Sequence, residues 1–183
     1  MISFKPLEKS DFPLLYKWLN IDFVTKWYAK RKFAYDDVEK KYSKYIEGAV
    51  PTESFIIEYQ DVPIGYIQTY RLKDYPEYER CVGLVGDSAG LDMFIGDRNY
   101  IHKGLGKDIV NQFLKDVVFT KEDIDQCVVG PEPDNRSAIR VYEKAGFFYV
   151  KTILCGKDNE AEYIMMKKKK SRNEQVVYDR LKK

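Results

Sequence analysis

The 183-residue chain predicts an α/β fold of the α+β kind, with one mixed sheet. The sheet is central and mostly antiparallel, and helices cover both of its faces. Three observations predict it. Periodicity and breakers give the element order β-α-α-β-β-β-α-β-α-β-β. Length and the supply of core residues, with 15 Tyr and 10 Phe, suit one domain around one substantial core. The third is the stretch Gly90–Val118, which reads as strand, polar loop, glycine pair and helix.

Ile2 to Pro6 reads as the first strand. Ser10 or Asp11 caps a short helix through Leu19, with Leu14, Leu15 and Trp18 on one face. Asp22 to Phe33 is irregular and aromatic. Tyr35 starts a second helix through about Glu47, with Val38, Tyr42 and Tyr45 at helical spacing, and Gly48 ends it. Ser54 to Tyr59 and Val62 to Leu72 form a hairpin around Gln60-Asp61. Lys73 to Ala89 reads as a long loop carrying Asp74, Glu77, Glu79 and Asp87.

In the next strand Leu91, Met93 and Ile95 alternate with Asp92 and Phe94. After Gly104-Leu105-Gly106, Leu105, Ile109, Val110, Phe113, Leu114, Val117 and Val118 recur at helical spacing. Gln126 to Val129 is a short buried strand, and Gly130 to Asp134 a turn. Asn135 or Asp134 caps a helix from Arg136 to Ala145, which Gly146 ends. Phe147 to Leu154 and Ala161 to Lys168 are the closing strands. Residues 1–166 form the domain and 167–183 a basic tail.

Charge and composition narrow the function. The net charge of +2 is uneven: the last 17 residues hold eight Lys or Arg and two acids, so the body is net negative. That does not describe a basic nucleic-acid-binding domain. No apolar run approaches a membrane span, and the N-terminus lacks a signal-peptide pattern. Cys81, Cys127 and Cys155 are widely spaced, which reads as core or incidental thiols in a reducing, cytoplasmic compartment. One histidine makes a metal site improbable. It also leaves Ser-His-Asp and Cys-His chemistry without a nucleophile motif.

The strand, glycine pair and fresh helix N-terminus form an anion cradle. Glycine lets a phosphate approach the backbone, and the N–H groups and dipole of the helix start favour negative charge. Lys103 and Lys107 flank it. A P-loop needs glycine where Ile101 stands and Ser or Thr where Asp108 stands. The dinucleotide fingerprint needs glycine at Ile109. Both fail. Glycines serving tight packing are the competing reading.

The surviving pattern resembles the pyrophosphate loop of the GNAT acyl-CoA N-acetyltransferases, many of which carry Arg or Gln where this chain has Ile101. PIGYIQTY (Pro63 to Tyr70), GLDMFIGDRNYIHKGLG (Gly90 to Gly106) and NRSAIRVYEKAGF (Asn135 to Phe147) resemble the aminoglycoside 6'-N-acetyltransferases of that superfamily. LLYKWLN and Trp27-Tyr28 fit as well, and the resemblance runs to about Met166.

The resemblance implies acetyl-CoA as co-substrate, no metal, and transfer of acetyl to a primary amine. It puts backbone groups of Phe94 and Ile95 on the pantetheine and acetyl carbonyl. His102, Lys103, Gly104, Leu105, Gly106 and Lys107 surround the pyrophosphate. Asp92 stands at the active-site aspartate, where a carboxylate holds an ammonium and accepts its proton. Tyr142 stands near the CoA sulfur as proton donor to the thiolate. Asn135 caps its helix and bonds pantetheine. Trp27 and Tyr28 pack on sugar rings, and Gln68 and Tyr70 line the acceptor cleft.

One departure stands out: these enzymes commonly have Asp where this chain has Gly130. Asp158, Glu160, Glu77 or Glu79 are the candidate replacements. The implied partner is an aminoglycoside or polyamine, with no nucleic acid or membrane, and the chain a monomer or homodimer. The alternatives are acetylation of another small amine, or a non-catalytic acyl-CoA-binding module using its tail for contacts.

Overall fold

A computed structural model describes residues 1–156 and 159–170. Its seven strands form one sheet in the order β1-β2-β3-β4-β5-β7-β6. The strands are β1 (Ile2–Pro6), β2 (Thr52–Tyr59), β3 (Val62–Arg71), β4 (Ser88–Ile95), β5 (Gln126–Val129), β6 (Phe148–Cys155) and β7 (Glu160–Lys168). Every neighbouring pair is antiparallel except β4 and β5, which are parallel. The mixed, mostly antiparallel sheet of the sequence reading is thus the observed one.

Alternation along the strands builds the two larger of three apolar clusters among the described residues, the third being Leu72, Val82, Val128 and Ile164. Ile57, Ile67 and Leu91 face one side, against Ile109, Val110 and Phe113 of α5 (Leu105–Phe113) and Ile139 of α6 (Arg136–Lys144). Ile56, Tyr66 and Phe94 face the other. There they meet Phe12, Leu15 and Leu19 of α1 (Phe12–Leu19), and Val38 and Tyr42 of α3 (Tyr35–Ile46). Each large apolar side chain so buried contributes roughly 1.5–3 kcal/mol.

Three segments differ from the sequence reading. Asp22 to Phe33 is not irregular throughout. A single turn, α2 (Asp22–Val24), runs into a π-helical turn over Thr25–Ala29, which Lys30 ends at φ 61°. The supposed loop Lys73–Ala89 contains α4 (Pro76–Val82), with Pro at its first position and Gly83 left-handed at its end. Its acids mask the helical signal. Cys81 and Cys155 are disulfide-bonded, and only Cys127 remains a buried thiol. Spacing hid the pairing because α4 folds over β6, bringing Cα atoms 74 residues apart to 6.2 Å.

The last strand takes in Lys167 and Lys168, past the domain boundary drawn at 166. Lys167 Nζ donates to Asn111 Oδ1 at 2.7 Å and to the Ala145 carbonyl at 2.6 Å. Asp158 and a tail docked through Val176, Val177 and Leu181 lie outside the described residues.

Candidate active site

β4 and β5 pair only over Ser88–Gly90 and Gln126–Val128. Beyond Gly90, β4 runs on beside β3 alone, and β5 runs beside β7. The edge of β4 from Leu91 to Ile95 that faces away from β3 therefore meets no strand. The parting opens a cleft of ≈ 1320 Å³. Asp92, Gln68, Tyr70, Trp27, Tyr28 and Tyr142 line it, as do Phe94 and Ile95.

Asp92 projects from β4 directly opposite Gln68 of β3. Gln68 Nε2 donates to Asp92 Oδ2 at 2.9 Å, and Tyr66 Oη donates to Gln68 Oε1 at 2.8 Å. Tyr66 Oη also meets Ser54 Oγ at 2.7 Å. The phenol's single proton is committed to Gln68, so Ser54 donates to it. Every donation in this chain points toward Asp92. An amide in the middle carries no proton onward, so the chain holds the carboxylate of a cleft-lining residue through Oδ2. Burial pushes the Asp92 pKa above the usual carboxylate range, while Gln68's donation and the charge of Lys41 pull it back.

Around Asp92 the walls are aromatic. The Tyr28 ring meets Phe94 at 4.8 Å between centroids, and Phe94 stacks on Tyr66 at 5.7 Å. Lys26 Nζ lies 4.5 Å from the Trp27 ring centroid. Tyr70 fills the space over Gly90, where a Cβ would come within 2.3 Å of the ring. That close approach requires glycine at position 90.

On the opposite face sit the loop and α5. His102 and Gly104 are both left-handed, at φ 58° and 79°. They bend the chain so that α5 begins at Leu105 with its N-terminus on the cleft. His102, Gly104, Leu105, Gly106 and Lys107 line the cleft, as does Ile101; Lys103 does not. Gly104 has nothing within 4 Å of a built Cβ. At Gly106 a Cβ would lie 3.0 Å from both Val141 methyls, so this glycine serves the packing of α5 on α6. The packing reading holds at Gly106, while Gly104 supplies the left-handed turn into α5 and leaves open space beside it.

Asn135 caps α6, its Oδ1 accepting from Ala138 N at 3.2 Å, and also lines the cleft. Tyr142 lies on α6 against Phe147, and burial raises its phenol pKa. Among the described residues no cluster of His, Cys, Asp or Glu converges as a metal site.

The acetyltransferase (GNAT) domain family matches residues 8–154. The chain belongs to that family. An aminoglycoside N(6')-acetyltransferase type 1 from Klebsiella pneumoniae is 27% identical over 152 residues, covering 80% of this chain and 73% of the relative. A crystal structure of aminoglycoside acetyltransferase AAC(6')-Ib with coenzyme A superposes with a TM-score of 0.78 at 22% identity, covering 100% of both chains. The same enzyme with coenzyme A and kanamycin superposes with a TM-score of 0.77 at 23% identity, again over 100% of both chains.

For a GNAT protein the parted strands and left-handed loop suit a pantetheine and a pyrophosphate. Open space at Gly104 and a helix start that lines the cleft meet what a diphosphate needs. Sequence reasoning missed Lys41, Tyr78 and Glu162, all of which line the cleft. Lys41 stands three residues after Val38 and four before Tyr45, on the inner side of α3. Glu162 alternates with Tyr163 and shares its face with Ile164, so strand periodicity carried the signal. Of the acids weighed to replace Gly130's missing one, Glu77 and Glu79 are exposed and do not line the cleft, while Glu160 does.

Proposed function

We propose that the chain transfers acetyl from acetyl-CoA to a primary amine, the 6'-amine of an aminoglycoside. The observation that carries the reading is Asp92. It is oriented by a directed hydrogen-bond chain and stands on the strand that borders the parting. The likeness to aminoglycoside N(6')-acetyltransferases and the aromatic wall support the acceptor class.

In this reading the acceptor amine enters from the α1–α3 face, and the thioester from the α5–α6 face. The ammonium binds Asp92 and gives up a proton to it as the nitrogen attacks the thioester carbonyl. The nitrogen–carbon bond forms and the carbon–sulfur bond breaks. Tyr142, kept protonated by burial, gives its proton to the departing thiolate, and the second proton shed by the acylated nitrogen returns through solvent to the phenolate. Backbone groups at Phe94 and Ile95 hold the acyl arm. His102 and Gly104–Lys107 take the pyrophosphate, and Lys103 screens its charge from the rim. Trp27, Tyr28, Gln68 and Tyr70 hold the acceptor. The reaction belongs in the cytoplasm, where acetyl-CoA is held, with the chain a monomer or homodimer.

The test is thiol release from acetyl-CoA with a panel of amines: aminoglycosides with and without a 6'-amine, linear polyamines and simple monoamines. Turnover is expected only where a 6'-amine is present, with acetylation at that nitrogen by mass spectrometry. Equal turnover of aminoglycosides lacking it would refute the regiochemistry. No thiol release with any amine would refute catalysis.

A further inference from the structure

A second carboxylate enters the cleft from across the parted strands. Directly opposite residues in a sheet share a face. Tyr70, Gly90, Val128 and Met166 are paired in turn, so they form one line across β3, β4, β5 and β7. Asp92 stands two residues beyond Gly90 on that face. Glu162 stands four residues from Met166, toward the same end of the sheet. Both line the cleft.

The surroundings of Glu162 are specific. Tyr78 Oη donates to Glu162 Oε2 at 2.7 Å. A Cβ on Gly130 would lie 2.2 Å from that same oxygen, so the carboxylate occupies the side-chain position that Gly130 leaves vacant. The Cys81–Cys155 disulfide ties α4, which carries Tyr78, to β6, whose Ile153 lies opposite Glu162. Among the described residues no Lys or Arg forms an ion pair with Glu162.

We propose that Glu162, positioned by Tyr78 in the space left by Gly130, binds a second ammonium of a polycationic acceptor while Asp92 holds the one that reacts. This rests on the aminoglycoside reading above and names the residue that selects for several amines. Two carboxylates on one face of a part-buried cleft repel each other, and a dication relieves both. Burial, Asp92 and Glu160 all push the Glu162 pKa upward, while Tyr78's donation opposes them. An acceptor for Tyr78 alone needs no charge; glutamine would serve equally.

That difference makes Glu162→Gln the deciding variant. The full chain is assayed with kanamycin, with spermidine, and with methyl 6-amino-6-deoxyglucoside, which has one amine. KM for kanamycin is expected to rise roughly 10–100-fold, the worth of a charge-assisted hydrogen bond. Its kcat should stay within about threefold, the pattern of lost uniform binding. KM for the monoamine and acetyl-CoA Kd should not move, and the melting temperature should not fall, since neutralising a carboxylate whose pKa burial raises does not cost stability. Gly130→Asp in a Glu162→Ala background returns a carboxylate from the residue that follows β5 and should recover part of the kanamycin affinity that Glu162→Ala alone loses.

Equal effects on kanamycin and the monoamine, or no effect on either, overturn the proposal while leaving the enzyme's function standing. If the parent acetylates spermidine and not kanamycin, the aminoglycoside reading falls. The spermidine-to-monoamine ratio in Glu162→Gln then decides this proposal. A parent that binds neither polycation more tightly than the monoamine by calorimetry overturns it as well.

Discussion

Asp92 is burdened by its own position. Burial raises its pKa, so the ionised form needed to take a proton is the form the folded chain disfavours. The sign follows from linkage. A carboxylate whose folded pKa lies above its unfolded value costs stability as pH rises from the unfolded value, 3.8, through the raised one. Above that window the cost is fully present; below it the cost is gone. Asp92→Asn removes the charge and can still accept from Gln68. It should raise the melting temperature at neutral pH by roughly 2–4 °C, the shift about 1 kcal/mol produces at this size. The gain should shrink as the solution is acidified toward pH 4. Turnover should fall roughly 10²–10⁴-fold, the range for a lost general base, with acetyl-CoA Kd unchanged. Scanning calorimetry at several pH values and kcat/KM at fixed pH check both halves. Turnover within about threefold of the parent, far short of that range, would remove Asp92 from the chemistry.

At the scale of an element, the strand–loop–helix from Ser88 to Phe113 was legible because each part has its own local signal. Alternation marked the strand, and the glycine pair followed by helical spacing marked the helix start. What the sequence left open was which glycine does what. Gly104 needs its φ of 79° and faces open space, whereas Gly106 needs to clear Val141. A Gly106 variant therefore disturbs packing as well as binding, and Gly104 is the cleaner probe. Gly104→Ala adds the left-handed penalty of about 1–2 kcal/mol without charge. Gly104→Asp adds the same strain and places a carboxylate where phosphate approaches. Calorimetry should show the Asp variant binding acetyl-CoA roughly 10–100-fold more weakly than the Ala variant, since opposed like charges cost several kcal/mol. Equal affinities would take the loop out of the cofactor site. The helix α4 was illegible for the opposite reason. Asp74, Glu77 and Glu79 read as a solvated loop, and the cues at Pro76 and Gly83 frame barely two turns. Tyr78, through which the helix meets Glu162, went unseen with it.

For the whole molecule, the order of the seven strands and the placing of helices on both faces came through, because a sheet apolar on both faces leaves few alternatives. Contacts that join distant segments did not come through, and Cys81–Cys155 is the clearest of them. Nothing local in either segment marks the pairing; only packing of α4 on β6 makes it. The bond closes a loop of 74 residues between the middle of the chain and its penultimate strand. Chain entropy gives such a closure about 4.5 kcal/mol, just above the typical 2–4. Disulfides are rare in the cytosol, so a cytoplasmic enzyme would form this bond on oxidation, and both states can be prepared. Titration of the denatured, unreduced protein should find one thiol, Cys127, and three after reduction. Cys81→Ser/Cys155→Ser should lower the melting temperature by roughly 5–15 °C, taking about 2–4 °C per kcal/mol. The loss should begin at α4, seen as faster amide exchange there while α5 and α6 stay protected. Because α4 carries Tyr78, the same variant should raise KM for a polycationic acceptor and leave acetyl-CoA Kd alone. Three free thiols in the unreduced, oxidised preparation would refute the bond. A paired bond whose loss weakens acetyl-CoA instead would refute the division of the cleft between a cofactor face and an acceptor face.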